Sequence, residues 1–110
     1  MTVKTIVLRG TAKAVSSETQ LDKRAVPAKT SWKLIELRPY CSATSGVTIY
    51  LNKGTFRLNE LTAEDINTYK LPVPADCTLD AGDELVLTAA NSTSPDATVI
   101  VTVVYDETTK

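Results

Sequence analysis

Two groups of carboxylates are the residues whose type and spacing bear most directly on chemistry: Asp80, Asp83 and Glu84 in one, Glu60, Glu64 and Asp65 in the other. A glycoside hydrolase needs an acid and a base facing each other across a cleft, and neighbours within a turn seldom reach that geometry. Both groups therefore read as turn and surface residues. Asp80 to Glu84 also offers the hard oxygens that calcium takes, but without the spacing of a calcium loop it reads as a solvated turn. Cys41 and Cys77 have no CxxC spacing and no activating neighbour in sequence, so they read as free, partly buried thiols. The chain contains no histidine, which removes Ser-His-Asp and Cys-His nucleophiles together with the usual zinc sites. No catalytic residue, cofactor or metal site is assigned, and the chain reads as a protein that is not an enzyme.

Tyr40, Tyr50, Tyr69 and Trp32 could stack on sugar rings. Trp32 stands in the most apolar segment, however, and aromatic residues make up only 5% of the chain, so they read as core anchors. A net charge of −1 with scattered basic residues gives no footprint for nucleic acid. No apolar run approaches the roughly 20 residues that span a bilayer, and Met1 to Lys4 opens without a signal-peptide pattern. Neither nucleic acid nor membrane is expected as a partner, and synthesis in a cytoplasm is expected. Asn91-Ser92-Thr93 matches a glycosylation acceptor but reads as loop chemistry.

The elements that must position these residues are strands. The chain holds 17 Thr and 11 Val, and one domain of 110 residues can bury about 65% of its unfolded surface. Thr98 to Tyr105 is β-branched at every position but the last, with Val99, Val101, Val103 and Tyr105 on one side and Thr98, Ile100, Thr102 and Val104 on the other. It reads as a strand buried on both faces, and Trp32, Leu34, Ile35 and Leu37 suggest a second inner strand. Further strands are expected at Val3–Leu8, Thr11–Val15, Glu18–Leu21, Ser31–Arg38, Val47–Leu51, Thr55–Leu58, Tyr69–Leu71 and Glu84–Ala89. Asn52-Lys53-Gly54 predicts a hairpin in which Gly54 supplies a positive φ, and Asp80-Ala81-Gly82-Asp83 a tight turn. Thr62 to Asn67 is the one place for a helical turn, with Thr62 as its cap. Pro72 and Pro74 place their segment at a sheet edge or outside one. This rhythm predicts an all-β, antiparallel sandwich over residues 1–110.

Val26-Pro27-Ala28-Lys29-Thr30 before the strand Trp32–Leu37, Thr44-Ser45-Gly46 before Val47–Leu51, the turn Leu79-Asp80-Ala81-Gly82-Asp83-Glu84-Leu85, and the ending Val99 to Glu107 together resemble small structural proteins of tailed bacteriophages. One departure is Lys29, which directly follows Ala28 where that family usually has glycine, so the first turn is expected to differ in type. The resemblance implies a jelly-roll-like sandwich and, for a chain of this size, a capsid decoration or cement protein. Such a protein would bind the exterior of an icosahedral capsid in the virion, with the major capsid protein and itself, as homodimer or trimer, for partners. The expected contacts are an N-terminal arm, Met1, Thr2, Val3 and Lys4, and two contact loops, Arg38, Pro39, Tyr40 and Tyr69, Lys70, Leu71, Pro72. The competing expectation is a carbohydrate-binding or receptor-recognition module of a tail or baseplate.

Overall fold

The computed structural model describes residues 2–66 and 77–109, the side chains at 65 and 66 excepted. Its elements are β1 (Thr2–Ala12), β2 (Ser16–Ala25), β3 (Thr30–Cys41), β4 (Val47–Lys53), β5 (Phe56–Thr62), α1 (Ala63–Ile66), β6 (Thr78–Leu79), β7 (Glu84–Asn91) and β8 (Ala97–Thr109). They form two four-stranded sheets in the orders β1-β8-β3-β6 and β2-β7-β4-β5, and every pairing is antiparallel. Successive strands mostly alternate between the sheets, and this is the strand order of a jelly roll.

The core lies between the sheets. Leu85, Leu87 and Ala89 of β7 meet Val99, Val101 and Val103 of β8, with Leu8, Leu37, Ile49 and Leu51 around them. Each fully buried Leu is worth about 1.5–3 kcal/mol of removed apolar surface. Trp32 packs on Tyr105 with ring centroids 4.5 Å apart, so the tryptophan is a core anchor as expected.

Burial on both faces does not hold for the last strand. β8 is interior along the ladder, with β1 on one edge and β3 on the other. Ala97, Val99, Val101, Val103 and Tyr105 point into the core, while Ile100, Thr102 and Val104 lie half-buried on the outer face of the first sheet. β3 is likewise an inner strand with an outer face. A register break between Leu34 and Glu36 inserts Ile35 as an extra residue, reversing the alternation so that Trp32, Leu34 and Leu37 all face inward and Ile35 points out.

The strands expected at Val3–Leu8 and Thr11–Val15 are one continuous β1 ending at Ala12, because Gly10 is not a turn residue. A Cβ on Gly10 would stand 2.7 Å from Leu21 Cβ, so glycine here lets β1 cross closely over β2 of the other sheet. Arg38, Pro39 and Tyr40 form part of β3 rather than a loop, paired with Thr102, Val101 and Ile100. Thr2, Val3 and Lys4 continue β1, paired with Glu107, Asp106 and Tyr105, rather than reaching out as an arm. The expected strand Tyr69–Leu71, like Met1, lies outside the described residues. β6 was not foreseen, and it pairs with Trp32 and Lys33.

The later turns follow expectation. Lys53 pairs with Phe56 across Gly54, whose φ is 58°. In the next turn the Asp83 N–H donates to the Asp80 carbonyl at 2.9 Å, with Gly82 at φ 89°. α1 is the short helical turn after Thr62. The first turn departs from expectation: Lys29 holds a φ of 60°, so the left-handed backbone that glycine would favour is kept without glycine rather than replaced by another turn type.

Candidate functional site

The first sheet's outer face gathers several of the expected contacts. Side chains alternate along a strand, so the ladder register sets out its rows: Arg9, Ile100 and Tyr40; Val7, Thr102 and Arg38; Thr5, Val104 and Glu36; Val3, Asp106 and Lys33. A β-branched centre is thereby bordered by charges of both signs. Val3 is 65% exposed, Tyr40 and Ile35 each 49%. Arg38 donates to Glu36 at 2.9 Å, and that bond raises its pKa. Pro39 spends no ladder donor and sits half-buried. At the Val3 end, Asp106 Oδ1 is buried with no hydrogen-bond partner among the described residues. Tyr69, Lys70, Leu71 and Pro72 lie outside the described residues. Sequence reasoning missed Ile100 and Val104 as surface residues, although their apolar character was the signal: it was read as a second interior rather than as a face wanting cover.

Lys4 closes the end of the sandwich. Its Nζ lies 2.8 Å from Glu107 Oε1, while Trp32 Nε1 donates to Glu107 Oε2 at 3.0 Å. The Lys4 hydrogen bond, then that of Trp32, holds the Glu107 carboxyl below its ordinary value, and the same bond raises Lys4.

On the second sheet's outer face, Glu18 accepts from Thr88 Oγ1 at 2.6 Å and from Arg57 Nη2 at 2.8 and 3.0 Å. The Thr88 bond is the chief cause of its lowered pKa, with Arg57 adding to it. Arg57 also covers the Tyr50 ring at 3.7 Å, so that ring is occupied by a guanidinium. Beneath, the buried Asn52 donates to the Val86 carbonyl and to Thr88. This constellation is satisfied from within and holds β2, β4, β5 and β7 together.

Four of the carboxylates are likewise held by neighbours, while the Asp65 side chain lies outside the described residues. Asp83 accepts the Asp80 N–H at 2.8 Å and faces Lys53 at 3.5 Å, and Glu84 pairs with Lys23 at 3.3 Å. Glu64 accepts the Gly46 N–H, and Glu60 lies 3.9 Å from Arg57. Among the described residues no group of three His, Cys, Asp or Glu could hold a metal ion. Cys41 and Cys77 are free and buried, and burial pushes both thiols up, making them poor nucleophiles at neutral pH. An open hollow of about 710 Å³ has Phe56, Leu58, Cys77 and the Lys53–Asp83 pair among its walls. No described helix is long and apolar enough to cross a membrane.

Strand order and register define an antiparallel jelly-roll sandwich. No family model and no curated protein matches the chain. Among solved structures, it is similar to a chain in the acidic stable capsid structure of Helicobacter pylori bacteriophage KHP30. The TM-score is 0.55 at 14% identity, over 99% of this chain and 100% of that one. A crystal structure of PirA aligns at a TM-score of 0.43 and 12% identity, over 91% of this chain and 93% of that one. The KHP30 likeness establishes a shared fold.

Proposed function

We propose that this chain is a structural protein of a phage virion that binds the outer surface of an icosahedral capsid and clamps neighbouring coat subunits. The observation that carries the reading is the end-to-end likeness to a chain of a phage capsid structure. Because that chain is covered completely, it is about as long as this one. The surface supports the reading. The first sheet's outer face is large, β-branched and rimmed by both signs of charge, whereas the carboxylates of Asp83, Glu84, Glu60 and Glu64 are engaged in turns and ion pairs. Of the aromatic side chains that a sugar-stacking module would expose, Trp32 is buried and Tyr50 lies under Arg57.

In this reading Tyr40, Arg38 and Val3 face the coat, and binding is the whole of the work. A footing on two coat subunits makes the second contact intramolecular, so modest patches hold firmly. Co-sedimentation with virions tests it, with capsid rupture followed on heating. Saturable binding in a fixed ratio to coat subunits, a raised rupture temperature, and about 10-fold weaker binding for Tyr40→Ala are expected. Absence of binding to heads refutes the reading.

A further inference from the structure

We infer that the edge of β1 from Thr2 to Ile6 is a self-pairing surface, on which a second copy of this chain adds its own β1 antiparallel and extends the first sheet across a two-fold axis.

In an antiparallel strand the N–H and C=O of one residue point to the same side, and those of the next residue to the other. Two contacts assign the sides in β1. Asp22 Oδ2 accepts the Arg9 N–H at 3.1 Å, and Arg24 Nη2 donates to the Val7 carbonyl at 3.3 Å, both from β2. The odd-numbered residues therefore face away from β8. At Val7 and Arg9 β2 side chains occupy one group each of this open edge, the Val7 carbonyl and the Arg9 N–H. At Val3 and Thr5 the same groups have no strand or side-chain partner among the described residues. Thr2 through Thr5 are exposed.

The other edges are built against pairing. β2 carries two register breaks, β5 takes up one against β4, and β6 is two residues long. β1 runs 11 residues without a break. Bulged, short or charged edges resist docking, and a long regular one invites it.

A second copy fits this edge because the edge is self-complementary. Centring the axis on Lys4 sets Val3 opposite Thr5 of the second copy and Thr5 opposite its Val3, so every open donor on one meets an acceptor on the other. Lys4 would then face its own counterpart, a repulsive arrangement, except that Glu107 already holds it at 2.8 Å. Pairing of this kind keeps both outer faces on one side of the joined sheet. Insofar as the capsid reading holds, the dimer would stand on the coat with twice the footing, but self-pairing itself requires no virion.

The test uses the full chain alone, by sedimentation equilibrium from about 10 µM to about 1 mM. Thr5→Pro removes an outward N–H and leaves the β8 ladder intact. The expected results are a wild-type dimer and about 30-fold weaker self-association for the variant, one donor being lost per copy. A wild type that stays monomeric throughout overturns the proposal, as does a dimer that Thr5→Pro leaves unchanged. Should the variant unfold, hydrogen exchange on the wild type decides. Protection of the Val3 and Thr5 amides that rises with protein concentration supports self-pairing. Equal exchange at all concentrations overturns it, as does protection gained only on virions, which would make a coat strand the occupant.

Discussion

Replacing Asn91 removes the side chain that joins β1, β7 and the loop before β8, and the loss can be worked from its contacts. Asn91 is 1% exposed. Its Nδ2 donates to the Ala12 and Pro95 carbonyls at 3.0 Å each, and its Oδ1 accepts from Thr93 N at 2.9 Å and Thr93 Oγ1 at 2.6 Å. A backbone N–H can only donate, so Thr93 fixes which way the amide points. In Asn91→Ala the Pro95 carbonyl and the Thr93 groups lie at a half-open loop where water can serve them, while the Ala12 carbonyl belongs to a fully buried residue. The Ala12 carbonyl keeps the Ala97 N–H across the ladder, so it loses a second donor rather than its only one; four lost bonds, three of them partly replaced by water, make about 2 kcal/mol. For a domain of this size that is a fall of about 10 °C in Tm. Asn91→Asp keeps the Thr93 contacts but aims a carboxylate at two carbonyls. Burial and that repulsion raise the carboxyl's pKa, so its penalty is least below the ordinary value of about 3.9 and grows as pH rises above it. Urea unfolding followed by circular dichroism at about pH 4 and about pH 7 reads both effects. An alanine cost under about 1 kcal/mol, or an aspartate penalty that does not change with pH, refutes the reasoning.

Gly10→Ala is expected to cost about 1–3 kcal/mol in thermal unfolding, since the new methyl meets Leu21 Cβ at 2.7 Å and Leu21 backbone atoms at 3.2 and 3.3 Å. Val15→Gly should raise stability by about 1 kcal/mol, because this exposed β-branched residue holds a φ of 48°, and Lys29→Gly should gain somewhat less. On the acid side, Glu107 and Glu18 have pKa values lowered on folding, so their contributions are present above the ordinary value of 4.5 and are lost as pH falls through the lower folded values. Lys4, raised above 10.5, stabilises below that value and ceases to as pH climbs through the folded one. Tm followed from about pH 7 to about pH 2 should therefore decline less steeply in Glu107→Gln than in the wild type. Native Cys41 and Cys77 should react with a thiol reagent at pH 8 far more slowly than in urea.

What could be read from the sequence was local. Gly54 and Gly82 stand where the turns need positive φ, and the alternation in Val99 to Tyr105 marks the core face of β8, because both are decided within a few residues. The extra residues at Ile35 in β3 and Leu21 in β2 could not be read, since a bulge is defined by the partner strand. Gly10 resembles punctuation, yet its reason is Leu21, a residue of the opposite sheet. Ile100 and Val104 carried the right chemistry and the wrong inference, because β-branched side chains mark a half-buried sheet face as readily as an interior. The Glu18–Arg57 pair spans 39 residues and exists only once β2, β7, β4 and β5 lie side by side. Of the expected contacts, Arg38, Tyr40 and Val3 share one face, though strand rather than loop or arm presents them.

The place of β8 between β1 and β3 also governs when this fold can form. β8 is the last of the described strands to leave the ribosome, and β1, the first, has no other ladder partner. Until then the first sheet cannot close, and Leu8, Trp32 and Leu37 stay uncovered by the side chains that bury them. Folding must await a contact between Thr2 and Glu107, nearly the whole chain apart, which makes it slow and leaves the nascent β1 edge open to strangers. Removing β8 would thus withhold the sheet itself, and such a chain should collect in aggregates or on chaperones.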